Sequence, residues 1–252
     1  MPYPNFPGKH AHDSLIEPAA YVAYLRDSGA LGDFEPPDGV ILCYDRALWG
    51  RVRKQARPAA WRLQLLDGPG GPVGVIGGFG IGAPAAAAVL EELIAHGVRR
   101  FASIGTAGGL QHDLSIGDVV LCERAVRDEG VSHHYAEPAT HAHPSPALTE
   151  HLGRAITERG LPLRPGTSWT IDTPYRETRA EVEHYRAEGV LCVEMEAAAL
   201  FTVAAHRGVD IASAFAISDV LAESWEPAML HERTHAALDQ LLDIALDLLA
   251  PS

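Results

Sequence analysis

Residues 73–105 read VGVIGGFGIGAPAAAAVLEELIAHGVRRFASIG. VGVIGGF (73–79) is an apolar run of strand type that enters a glycine turn. APAAAAVLEELIAH (83–96) consists of strong helix formers and is closed by Gly97. FASIG (101–105) is the next buried strand. Strand, glycine-rich turn, helix and strand in this order predict an α/β fold with a largely parallel central sheet.

Downstream, DVVLCERAV (118–126) reads as a strand and residues 147–159 as a helix. A short apolar stretch at 190–192 precedes a long helix over 194–207, which ends at Gly208. IASAFAISD (211–219) is a strand, and residues 231–249 form a closing amphipathic helix. Upstream, a helix is predicted over 18–29, a buried strand at VILCY (40–44), a helix over 45–57 and a strand over 61–66. Residues 1–18, rich in Pro, His and Gly, read as an irregular N-terminal arm. No repeat or composition break divides the chain, so residues 1–252 are expected to form one domain.

Hydrophobic residues make up 47% of the 252 and charged residues 21%, which excludes wholesale disorder. Lys plus Arg is 20 and Asp plus Glu is 33, a net charge of −13. That balance argues against a nucleic-acid partner or an anionic membrane surface, though a small anion held by local arginines remains compatible with it. Three scattered cysteines, Cys43, Cys122 and Cys192, suit neither a disulfide framework nor a cysteine zinc site. With no signal-like or membrane-length apolar run, a cytoplasmic protein is expected. The histidine clusters at 133–134 and 141–143 lack metal-site spacing and read as solvated loop residues, so no metal is expected.

Four segments carry candidate chemistry. GGFGIGAP (77–84), with Gly80 at its centre, joins a strand to a helix N-terminus, where free N–H groups favour an anion. A ligand-free tight turn is the competing reading, and the spacing does not fit a dinucleotide fingerprint. SIGTAGGL (103–110) runs a strand into Thr106 and small residues, which suits either a ligand against backbone or a packed turn. In VEMEAAALF (193–201), Glu194 and Glu196 stand among apolar neighbours at a strand–helix junction. Such carboxylates need donors, and a pair of sugar hydroxyls would supply two; stabilising a helix N-terminus is the alternative. In AISD (216–219), Asp219 ends an apolar strand, where ligands of open α/β sheets bind, as a general acid or as a helix N-cap.

Taken together, these segments resemble the nucleoside phosphorylase-I family, which includes uridine phosphorylases and purine nucleoside phosphorylases. Residues 91–135 are similar to bacterial uridine phosphorylases, and residues 193–219 resemble the family's ribose and base segment with a purine-type ending. The resemblance implies a twisted mixed sheet closing toward a barrel, flanked by helices, and a homo-oligomer built from dimers, a dimer or a hexamer. It implies cleavage of a nucleoside N-glycosidic bond, by phosphate in phosphorylases and by water in nucleosidases, without redox cofactor or catalytic metal.

Carried onto this chain, Met195 would pack on the ribose and Glu196 would accept its hydroxyls, with Glu194 beside them. Asp219 would protonate a purine, with Ser218 adjacent. PYRETR (174–179) offers Tyr175, Glu177 and Arg179 to the base, with Glu177 where pyrimidine enzymes have glutamine. For phosphate, the expected participants are Gly80, Thr106, Arg57 and Arg46. Two family arginines are replaced, by Leu48 and Ser103, and Tyr44 stands for a glycine. The arm histidines His10 and His12 could reach a neighbouring site.

The expected activity is therefore N-glycosidic cleavage, of a purine-type nucleoside before uridine, with phosphorolysis the family default. Hydrolysis by water is the alternative, because of Leu48 and Ser103. A non-catalytic nucleoside-binding protein is the alternative of another class.

Overall fold

The computed structural model describes residues 4–30, 35–59, 63–221 and 225–251. In chain order its helices and strands are α1 (Pro18–Asp27), β1 (Gly39–Cys43), α2 (Arg46–Gln55), β2 (Arg57–Pro58), β3 (Gln64–Gly68), β4 (Gly71–Ile76) and α3 (Ala83–Ala95). There follow β5 (Arg100–Gly109), β6 (Val119–Asp128), α4 (Ser132–Tyr135), β7 (His141–Ala142), α5 (Pro146–Glu158) and β8 (Leu163–Ile171). The last are α6 (Arg179–Ala187), β9 (Cys192–Glu194), α7 (Ala197–Arg207), β10 (Asp210–Leu221), β11 (Trp225–Pro227) and α8 (Glu232–Leu249).

One mixed sheet runs β11-β10-β6-β8-β9-β5-β1-β4-β3-β2. β10 also pairs with β5, so β10, β6, β8, β9 and β5 close into a five-stranded barrel. The pairings β1–β4, β1–β5, β5–β10, β6–β8 and β8–β9 are parallel, whereas β6–β10, β5–β9 and β3–β4 are antiparallel. The sheet is thus mixed rather than largely parallel. Local strand–helix order shows which pairs are joined by crossovers. It does not show which non-consecutive strands meet.

Alternation along the strands builds the core on two sides. Val40 and Leu42 of β1, Phe101 of β5 and Ile211, Phe215 and Ile217 of β10 face α3 and α7. Ile41 and Cys43, Ala102 and Ile104, and Ala212, Ala214 and Ala216 face α2, α5 and α8. α3 and α7 are rich in alanine and largely buried. Small side chains let the two helices lie close. Glu91 on α3 is buried between them and takes two hydrogen bonds from Arg207, at 2.7 and 3.0 Å.

Some boundaries differ from expectation. β5 continues through Thr106 to Gly109 rather than turning, because its small residues go on pairing with β10 across a register shift at Ser218, and this stretch lines the pocket. The helix expected from residue 194 starts at Ala197, since Glu194 closes β9 and Glu196 is the N-cap. The strand expected over 61–66 appears as β3 from Gln64, and residues 61 and 62 lie outside the described residues. β8 and α6 were not anticipated. The arm contains a 3₁₀ turn at Lys9–Ala11. Among the described residues, no helix is long and apolar enough to cross a membrane.

Candidate functional site

The C-terminal ends of β5 and β10, the exit of β1 and the β9–α7 junction surround a pocket of about 270 Å³. Tyr44, Thr106, Glu177, Met195, Glu196 and Asp219 are among its lining side chains. Glycines in β5 make room for it. A Cβ at Gly108 would lie 2.5 Å from Leu221 and 3.2 Å from the Asp219 carboxyl, and one at Gly105 would lie 3.1 Å from the Tyr44 ring.

Asp219 is presented by an irregularity in β10. The register with β5 shifts between Ile217 and Asp219, so Ser218 is an extra residue. Such bulges re-aim the next side chain. Ser218 Oγ donates to Asp219 Oδ1 at 2.7 Å, and Trp225 Nε1 on β11 donates to Oδ2 at 2.8 Å. Trp225 was not singled out in the sequence, because only the β10–β11 pairing brings it back over Asp219.

Glu194 and Glu196 have separate tasks. Glu194 Oε1 accepts from Ser168 and Thr170 on β8, at 3.0 and 2.5 Å. Its Oε2 accepts from the Glu196 and Ala197 amides, at 2.8 and 2.7 Å. With both oxygens engaged, it ties β9 and the start of α7 to β8, while it also lines the pocket beside Glu196. Burial raises its pKa, against the lowering effect of these donors.

Glu196 lies on the pocket wall and accepts from the Gly82 amide at 2.5 Å. Burial, and secondly the Glu194 charge, push its pKa up to about 8. Gly82, with φ of +94°, is the N-cap of α3. The expected anion-binding amide at this turn is therefore engaged by the chain's own carboxyl. Gly77 and Gly78 are required for packing, as a Cβ on either would lie 2.8 Å from Trp49 atoms.

At the opposite end, Glu177 is half-buried, and burial followed by the Asp219 charge raises its pKa to about 7. The structure brings Met195, Glu196, Ser218, Asp219, Glu177 and Thr106 together. Glu194 lines the pocket as well, whereas Tyr175, Arg179, Arg46, Arg57 and Gly80 do not. Tyr175 projects into solvent, 99% exposed, and Arg179 begins α6 as an exposed residue. Arg46 is exposed at the start of α2, and Gly80 is exposed beside the pocket without lining it. Arg57 pairs with Asp67 at 3.4 Å on the β2–β3 hairpin. Leu48 is a core residue of α2 facing away from the pocket.

Tyr44, by contrast, is central. Its ring stands edge-on to Phe79, with centroids 5.5 Å apart, and its hydroxyl bonds the buried Ser103 Oγ at 3.2 Å. Burial, then the Glu196 charge, raises its pKa well above the ordinary phenol value.

His10 and His12 line a different groove of about 720 Å³ between the arm, α3 and α7, with His134 and Arg207. The histidines at 133 and 134 are not solvated loop residues. They sit half-buried on α4, where His133 bonds the Arg127 carbonyl and His134 bonds Lys9. Among the described residues, no group of three or more His, Cys, Asp or Glu is placed to hold a metal ion.

Residues 52–250 match the family model described as the phosphorylase superfamily. A DeoD-type purine nucleoside phosphorylase from Bacillus cereus is 33% identical over 173 residues, 68% of this chain and 72% of the relative. The crystal structure of uridine phosphorylase from Vibrio fischeri superposes with a TM-score of 0.69 at 25% identity, covering 84% of this chain and 90% of the other. Purine nucleoside phosphorylase from Toxoplasma gondii, in complex with immucillin-H, shares the fold with a TM-score of 0.75 at 20% identity, covering 86% and 91%.

Proposed function

The chain belongs to the phosphorylase superfamily, and from that premise we propose that it cleaves the N-glycosidic bond of a nucleoside, a purine nucleoside in preference to uridine. The observation that carries the reading is the convergence of Glu196 and Asp219 on one pocket, with Met195 between the β9 end and α7. Glu196 accepts the ribose hydroxyls, and Met195 packs against the sugar. Asp219 faces the base.

Departure of the base needs a proton on one of its nitrogens as the glycosidic bond breaks. Asp219 accepts on both oxygens, from Ser218 and Trp225, so the proton it passes on has to be supplied. Glu177, with its pKa raised to about 7, is the neighbour able to hold one near neutrality. Asp219 and Glu177 together form the acid end of the pocket. Two carboxyls there also favour a base rich in N–H donors, which supports a purine over uracil. The Bacillus cereus relative points the same way, being a purine nucleoside phosphorylase.

Free base measured from a panel of nucleosides tests this. Purine nucleosides are expected to release base faster than uridine. Asp219→Asn is expected to retain nucleoside binding and lose roughly a hundredfold or more in kcat. Wild-type rates in that variant, or tight binding with no base released by the native protein, would overturn the reading.

A further inference from the structure

The relatives transfer the sugar to phosphate, and the pocket of this chain is built against that acceptor. We infer that the group attacking the sugar here is water, because the pocket offers an oxyanion no counter-charge. The inference rests on the cleavage reading above and concerns only the acceptor.

Three observations carry it. First, the Tyr44 side chain occupies the pocket floor between Phe79 and the Gly105 backbone. Its hydroxyl and the Ser103 hydroxyl are bonded to each other at 3.2 Å, which uses one of their two protons and leaves a single neutral donor in place of a cation. Second, the titratable side chains lining the pocket are Tyr44, Glu177, Glu194, Glu196 and Asp219, and no Lys, Arg or His is among the described lining residues. A phosphate placed there would meet carboxyl groups, some of them ionised, and no counter-charge, and its presence would force those carboxyls to stay protonated. Third, the nearby groups that could serve an anion are engaged or elsewhere. The Gly82 amide is given to Glu196, Arg57 to Asp67, and Arg46 is exposed on α2.

Water has none of these difficulties. It is neutral, small, and both donor and acceptor, so it can lie against Thr106 and a carboxyl together. In the step, the water oxygen forms the bond to the anomeric carbon as the carbon–nitrogen bond breaks. The electron pair of that bond passes to the base, which takes a proton from the Asp219–Glu177 end. The proton lost by the attacking water returns through solvent to restore that end. Nucleoside plus water gives free pentose plus free base, with no other co-reactant.

The test uses the native full-length protein, freed of phosphate by dialysis. Base release from a purine nucleoside is followed with and without millimolar inorganic phosphate, and the sugar product is identified by mass spectrometry. The expected result is free pentose and a rate unchanged within about twofold by phosphate. Phosphate-dependent release, or a sugar phosphate as product, would overturn this inference while leaving the cleavage reading intact. No base release in either buffer would overturn both.

Discussion

Glu196 shows how burial sets chemistry at a single residue. Its carboxyl receives backbone amides of Gly82 and Met195 but is buried and faces the Glu194 charge, and its pKa rises to about 8. Near neutrality it is therefore largely protonated in the free pocket. The ionised form accepts two ribose hydroxyls more strongly, one on each oxygen. Nucleoside affinity is accordingly expected to rise as pH increases from 6 through 8, with proton release on binding. Calorimetry in buffers of different ionisation enthalpy reads this directly. Glu196→Gln should weaken binding and flatten the profile; an unchanged slope in that variant would separate the effect from Glu196. Glu177 belongs to the same scale. Its loss in Glu177→Gln should lower kcat at neutral pH and change the limb of the pH–rate profile near 7, with KM little changed.

Elements hold these residues in place through a few polar ties. Arg186 on α6 donates to the carbonyls of Leu110 and Leu221, just beyond β5 and at the end of β10. It thus joins the two strands that carry Thr106 and Asp219. Arg186→Met removes charge-assisted bonds and is expected to cost about 2 kcal/mol, with kcat falling alongside. The pair of α3 and α7 depends similarly on Glu91 and Arg207, and Glu91→Ala should cost about 2 kcal/mol by removing both close bonds to the guanidinium and leaving it the longer 3.4 Å contact with Glu17. Urea denaturation measures both. α6 itself was missed in the sequence because its polar face masks the pattern. The capping box of Thr178 and Glu181 was the available signal. β8 was missed because TSWTI (167–171) carries hydroxyls that point to Glu194, so its polar residues are buried rather than solvent-facing.

The whole molecule carries a net charge of −13 and buries several carboxyls whose pKa values are raised. The sign of the consequence is fixed. A carboxyl with a folded pKa above its unfolded value favours the folded state fully below the unfolded pKa, and that contribution disappears as pH rises through the folded one. For Glu196 the loss runs from about pH 4.5 to about 8. The urea midpoint of the free protein should therefore fall across that window. Self-repulsion of the net charge acts in the same direction, so the diagnostic is a smaller fall in Glu196→Gln. A wild-type slope in that variant would assign the whole effect to net charge. Exposed apolar side chains occur both on the N-terminal segment, at Leu15, Ile16 and Tyr24, and near the pocket, at Ile81, Trp225 and Leu230. Apolar surface of this kind favours self-association, and sedimentation is expected to show a dimer or larger assembly.

The sequence by itself determined the strand–glycine–helix–strand core, most helices, and the choice of Glu196 and Asp219 as candidate site carboxyls. Those features rest on local periodicity and on carboxyls set in apolar runs, which a linear reading detects. Barrel closure, which the family resemblance implied and the structure bears out, is not written in local pattern, because β5, β9 and β10 meet across long stretches of chain. The division of labour between Glu194 and Glu196 was decided only in three dimensions, since two glutamates two residues apart differ only in which donors surround them. So was the pairing of Tyr44 with Ser103, whose hydroxyls meet across 59 positions of sequence. Spacing identifies residue types suited to a chemistry; packing decides which of their atoms are already engaged.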